Sequence, residues 1–440
     1  MSLLPPDHPG RLALSNEVHA RPPQPLDTPS RASYLAVLVD FDARGPELAH
    51  ITSLCVHHGV NGPPDGATQF SATLGTMGFK WERHGEFSTY AVFISGCGAP
   101  PFHEPAASRL PEGWLAAVPG ATLVAAHAEL VSAPEGAPSA ALLSSQFDGN
   151  IVVGSTVGDG AAIVYTDFRV HADGFVRFAA FDAALTPRQS GRTVQRLFEI
   201  ETYRMLALLA LPTARQLLPR IVEIESALAD LTDRIAQDQH SDDESLLQQL
   251  TRLAAEVESA LASSQFRFGA CRAYFELVTA RIGELRERRL PGVQTIEEFM
   301  SRRFTPAVAT CSTVSQRLHD LSERVAQTSA LLSTRVDITR ERQNQALLAS
   351  MDRRPSAAAA PAADGRGPVG RGHRLLRCRR RRLRGEGAGV GRRADQRRSG
   401  GRAVHPSDRV GGAVDPAPRQ APHCARRDRS SNCTLAVSSC

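Results

Sequence analysis

The stretch LLPRIVEIESALADLTDRI, residues 217–235, sets Leu217, Ile221, Ile224, Leu228, Leu231 and Ile235 at successive steps of 4, 3, 4, 3 and 4. Alternating steps of this kind keep one apolar seam on one side of a helix, facing a partner helix. The pattern continues downstream. Leu246, Leu250, Leu253 and Val257 form a second stripe, opened by a Ser241-Asp-Asp-Glu244 capping box. Pro291-Gly292 interrupts the chain, Thr295-Ile-Glu-Glu298 opens another helix, and Cys311, Val314, Leu318, Leu321, Val325, Thr328 and Leu332 complete a third stripe. Residues 190–353 therefore read as a long antiparallel helical bundle or coiled coil.

Upstream the period changes. Tyr34-Leu-Ala-Val-Leu-Val39 reads as a buried strand, residues 46–58 as a helix, and 68–75, 78–84 and 86–95 as strands. Residues 111–118 read as a helix leading into Ala121–Leu130. A short helix after Pro9 ends near Pro22-Pro23. Asp148-Gly149, Asp159-Gly160 and Asp173-Gly174 punctuate runs of Val, Ile and Phe, the pattern of an antiparallel meander from about 145 to 182. Residues 1–188 are thus expected to form an α+β domain.

Beyond Arg354 the composition changes again. Residues 355–440 hold 19 Arg and 6 acidic residues, a net +13, so the whole-chain +5 leaves −8 for residues 1–354. The tail has no Lys and no aromatic residue, and Lys80 is the only lysine in the chain. This segment is expected to be disordered, because so few apolar residues cannot offset the entropy of ordering. Its Arg and Ala excess reads either as GC-rich coding of a genuine basic tail or, a better fit, as a shifted reading frame. Permitted codons for Pro355–Asp364, moved by one base, read Arg-Ala-Arg-Leu-Gln-Leu-Arg-Leu-Gln, which prolongs the preceding helix. Carried through Arg384, the same frame permits an uncharged run near the ~18–20 residues that a membrane helix needs. As written, no run is expected to be long and apolar enough to span a bilayer, and the N-terminus lacks a secretory signal, so the body is expected in the cytoplasm. Cys55, Cys97, Cys271 and Cys311 are expected as buried free thiols.

Chemistry concentrates in two segments, Glu17-Val-His19-Ala-Arg21-Pro-Pro23 and Phe79-Lys-Trp-Glu82-Arg83-His84-Gly-Glu86-Phe-Ser-Thr-Tyr90. If the second is extended, Lys80, Glu82, His84 and Glu86 share one face, and Trp81, Arg83 and Phe87 the other. Such a carboxylate–imidazole face suits a divalent cation or acid–base work, and Glu17 and His19 would join it if they lie nearby. The alternative is a solvated face carrying cross-strand ion pairs. Arg196, Glu199 and Tyr203 stack along one side of a helix, where such pairs stabilise a surface or a junction. Gly154–Gly160 is glycine-rich but lacks the following Gly-Lys-Ser/Thr, so it reads as a turn between strands, not a phosphate loop. No nucleophile elbow, His-Glu-x-x-His motif or dinucleotide fingerprint is present. No cofactor is named by these residues.

The segments EVHARPP (17–23), KWERHGEFSTY (80–90), TDFRVHADGF (166–175), RLFEIETYRMLALLALP (196–212) and TRVDITRERQNQALLASMDRR (334–354) resemble a bacterial family of uncharacterised, predicted membrane-anchored proteins defined by a large domain of unknown function. The resemblance implies a cytoplasmic body followed by helices and an inner-membrane anchor, and it transfers no catalytic residue. Three functions follow as expectations. The first is a membrane-anchored interaction or scaffold protein that self-associates through its helical region and binds an unknown protein partner. The second is a metal-dependent or acid–base enzyme using Glu17, His19, Glu82, His84 and Glu86, within a candidate polar site that also includes Arg21 and Arg83. Nucleic-acid binding by the Arg-rich tail ranks last.

Overall fold

The computed structural model describes residues 5, 7–19, 22–98, 100–134, 138–237 and 243–352. Arg21, Ser241 and the Arg-rich tail, with its expected disorder, lie outside these residues.

A mixed nine-stranded sheet carries the first half of the chain, in the order β2-β3-β4-β1-β5-β8-β7-β6-β9. Its strands are β1 (Ser30–Leu38), β2 (Gln69–Leu74), β3 (Met77–Arg83), β4 (Phe87–Ser95), β5 (Ala121–Ser132), β6 (Val153–Val157), β7 (Ala162–Thr166), β8 (Val176–Asp182) and the short β9 (Arg288–Arg289). Strands β2, β3 and β4 form hairpins, as their alternating residues predict. The meander β6-β7-β8 is antiparallel within itself. However, β8 joins β5 in parallel, which the Asp-Gly spacing alone does not reveal. The helix expected at 111–118 is only a 3-10 turn at Leu115–Ala117, because Val118 swings into an extended conformation and feeds β5.

Helices α1 (Arg11–His19), α2 (Arg44–His57) and α3 (Ala140–Gln146) accompany the sheet. Then follow α4 (Pro187–Leu208), α5 (Ala210–Ala236), α6 (Asp243–Leu285), α7 (Ile296–Arg303) and α8 (Thr305–Asp352). Thr186 and Gln189 form a capping box with Pro187 in the first turn of α4, and Thr295 and Glu298 form another at α7. Both boxes satisfy backbone N–H groups that a helix start otherwise leaves unpaired.

Cross-helix bonds fix the directions. Arg196 of α4 reaches Glu284 of α6 at 2.8 Å, and Arg220 of α5 meets Glu256 of α6 at 2.5 Å. Ser322 of α8 donates to Glu258 of α6 at 2.9 Å, while Arg335 donates to the Ile235 carbonyl at 2.7 Å. With Arg317 on Glu225, residue numbers rise together along α5 and α8 and fall along α6. The arrangement is a three-helix pack with α6 antiparallel to both neighbours. Its seam residues, among them Ile221, Leu228, Leu250, Val257, Val314 and Leu321, are buried in one core cluster shared with the sheet. Past Val336, residues 337–351 of α8 are exposed. At ~1.5 Å per residue this projects the helix by roughly 20–25 Å.

Among the described residues the α4–α5 run, Pro187–Ala236, is long and apolar enough to cross a membrane, by length and composition only. In the fold, Val194, Leu197, Phe198, Leu206 and Ala210 bury its apolar side in the shared core.

The other sheet face carries two smaller cores. One gathers Leu35, Val37, Phe79, Trp81, Tyr90 and Val92 under α2. The other gathers Phe102, Phe147, Tyr165 and Phe181. Cys55, Cys271 and Cys311 are buried free thiols as expected, whereas Cys97 is exposed. It follows the end of β4 at Ser95 and the left-handed Gly96, so the chain has already turned off the sheet.

Candidate functional site

Strand β3 divides its side chains between two environments. Trp81 and Arg83 point under α2, where Glu47 is fully buried. The Glu47 carboxylate accepts from Trp81 Nε1 at 2.8 Å, Tyr90 Oη at 2.9 Å and the Arg83 guanidinium at 2.6 and 2.9 Å. The guanidinium also lies 4.9 Å from the Trp81 ring centroid. Every carboxylate oxygen is engaged. Burial, together with the adjacent carboxylate, pushes the Tyr90 phenol far above its ordinary range, so it remains an O–H donor.

Lys80 and Glu82 face the opposite way, into a small pocket with a cavity volume of about 50 Å3 between the sheet and α4. Lys80 Nζ pairs with Glu82 Oε1 at 2.9 Å and donates to the Pro22 carbonyl at 2.9 Å. That second bond ties the first charged segment to the second. Phe87, Thr89, Ala91 and Phe93 of β4 line the floor, and Tyr34 of β1 flanks it. From α4 come Gln195, Phe198, Glu199, Thr202 and Tyr203, a stripe at i, i+3, i+4, i+7 and i+8 that a helix presents on one side. Gly191 lets α4 meet the chain before β1, since a Cβ there would lie 1.7 Å from the Gln24 carbonyl oxygen.

The pocket has an apolar wall and a charged wall. Phe198 stacks on Tyr34 with ring centroids 4.7 Å apart, and His84 stacks on Phe87 at 4.3 Å. Glu199 accepts from Gln195 at 2.7 Å and is paired with Arg281 of α6. The Tyr34 hydroxyl shares a 3.0 Å hydrogen bond with Thr202, and burial holds its phenol well above the usual range. Aromatic surface beside a few convergent polar groups is the usual make-up of a small-molecule site.

Glu82 and His84 line the pocket; Arg83 points to the other face and serves Glu47. Glu86 belongs to a separate contact with α6, accepting from Arg267 and Tyr274 at 2.8 Å each. Phe87 is a correction, because it shares the side of Glu82 and not that of Trp81. The turn at residues 84–86 resets the alternation between β3 and β4. Glu17 and His19 fall in α1, and Arg21 is outside the described residues. Among the described residues no group of three or more His, Cys, Asp or Glu is arranged to hold a metal ion.

A second polar strip separates the two smaller cores. Arg31, Ser33, His127 and Glu129 are buried there. Ser33 Oγ lies 2.9 Å from His127 Nδ1 and accepts from the Ala107 N–H at 2.8 Å. His127 stacks on Phe175 with centroids 3.8 Å apart, and burial lowers its pKa to about 4. Farther along, buried His171 sits between Asp148 and Asp167 at 2.8 and 3.0 Å. Both clusters are packed by protein, and neither borders the pocket.

Gln24, Tyr34 and Gln195 give no motif in the sequence. The α4 stripe could have been found by asking which polar residues recur at helical spacing beside Phe198. No curated protein and no solved structure matches the chain. A family model matches residues 6–358, and the chain belongs to that family, described as Protein of unknown function (DUF3422).

Proposed function

We propose that this chain is an interaction protein whose α+β body binds a small, partly aromatic ligand in the pocket beneath α4. The observation that carries this reading is the convergence of Gln24, Tyr34 and side chains from residues 80–93 and 191–203 on one pocket. Saturation-transfer NMR with benzyl alcohol as the probe tests it. Signal that disappears in Ala91→Leu, which narrows the pocket while the circular dichroism is retained, is the expected result. No transfer to the wild-type chain, or transfer unchanged in the variant, overturns the reading.

The scaffold role extends the same proposal. The projecting end of α8 supports it, because among the described residues no element covers 337–351, while the apolar seam before them is already filled. In the intact family form the helix would lead to a membrane anchor, leaving the body in the cytoplasm and the projecting helix free for a second copy or a protein partner. Sequencing the gene across the codons for residues 345–385 tests the anchor. An added or missing base that restores a hydrophobic span supports it, and a confirmed frame removes it from this chain.

A second reading is acid–base chemistry, favoured by Glu82 and His84 on the same pocket wall. A metal-dependent version requires that the chain, incubated with Zn or Mn and dialysed, retain the metal; a metal-free product rejects it.

A further inference from the structure

Lys80 is the only lysine among 51 cationic residues, so the other 50 are arginine. It is buried, at 8% exposure, and lines the pocket. Ion pairing alone does not explain a lysine at this position. Arginine would pair with Glu82 and the Pro22 carbonyl through a planar fork with more donors, as it does with the buried Glu47 on the other face of the same strand. A primary amine differs from a guanidinium in one chemical respect that matters in a pocket. It can lose its protons and form a bond from nitrogen to carbon.

We propose that Lys80 captures a small carbonyl compound with an aromatic or otherwise apolar body as a protonated imine. The inference rests on the pocket being a ligand site. The ammonium passes one proton to Glu82, 2.9 Å away, and the freed amine attacks the carbonyl carbon. Glu82 returns that proton to the carbinolamine oxygen, which takes a second proton from nitrogen and leaves as water. The net change converts an ammonium and a carbonyl into an iminium and one water, with no gain or loss of charge. The iminium therefore keeps Glu82 as its counter-ion, in the same place that the ammonium held. Phe87, Phe93 and Phe198 supply the surface against which the apolar body packs.

The single lysine makes the test specific. The full chain is incubated with benzaldehyde and sodium cyanoborohydride near neutral pH, and benzylation is mapped by peptide mass spectrometry, which separates Lys80 from the α-amine. Expected is labelling of Lys80 about tenfold or more faster than the ε-amine of Nα-acetyl-lysine amide, as positioning beside a proton acceptor should give. Glu82→Gln should slow the labelling. Lys80 labelled no faster than the free amine, or a Glu82→Gln rate equal to wild type, overturns the proposal. If benzyl alcohol binds while benzaldehyde fails to label, the imine alone is wrong. If neither engages the chain, the pocket reading fails with it.

Discussion

The two sides of β3 hold the same residue types in opposite conditions. Under α2, Glu47 is surrounded by donors from Trp81, Arg83 and Tyr90, and its charge is fully compensated. Under α4, Glu82 has Lys80 on one oxygen and faces a pocket. A buried carboxylate with every lone pair engaged holds elements together, whereas one that borders empty space is available to a ligand. The segment Lys80–Tyr90 therefore carries both a stabilising network and a candidate site, separated only by the alternation of a strand.

Breaking the closed side should have the largest effect. Glu47→Gln leaves the Arg83 guanidinium with a neutral partner and should cost about 3–5 kcal/mol in urea unfolding, the range for removing one partner of a buried ion pair. The strip around His127 comes next, through pH. Its folded pKa of about 4 lies below the ordinary value of 6.5. Between those values the unfolded chain binds a proton that the native chain refuses, so stability rises with pH across this window. The contribution is complete above pH ~6.5 and falls by up to about 3 kcal/mol as the pH drops toward 4. His127→Gln should flatten that slope in unfolding measured from pH 7 to 4.

Smaller changes sharpen the pocket side. Gly191→Ala places a methyl against the Gln24 carbonyl and should cost about 1–3 kcal/mol as the segment moves away. The same variant should lose benzyl alcohol binding, because Gln24 and Gly191 are both part of the lining. On the projecting helix, Leu347→Gln and Leu348→Gln should each change thermal stability by no more than about 0.5 kcal/mol, since both side chains are exposed and touch no core.

The element pattern of this fold was largely legible, for local reasons. Strand alternation marks β2, β3 and β4, and the seam from Leu217 to Val325 marks the helices, because both periods are written in adjacent residues. What escaped depends on distant pairing. The parallel contact of β5 with β8 joins Ala126 to Val176, and no local pattern encodes it. The common direction of α5 and α8 follows from α7 and its loop reversing the chain, not from any seam residue. The same limit applies to the site. Lys80, Glu82 and His84 stood out as a charged face, but their cavity is completed by Tyr34, Gln195 and Phe198 from elements whose approach the sequence does not state. Strict alternation puts Phe87 on the face of Trp81, but the break at residues 84–86 between β3 and β4 moves it to the face of Glu82.

The most direct measurement compares Glu47→Gln with Glu82→Gln in urea denaturation at pH 7, beside the wild-type chain. The account predicts a loss of about 3–5 kcal/mol for the first and a distinctly smaller loss for the second, because Lys80 keeps the Pro22 carbonyl and borders the pocket; the main effect of the second should fall on Lys80 labelling. Equal losses for the two variants would contradict it, because Glu82 would then be a structural carboxylate like Glu47.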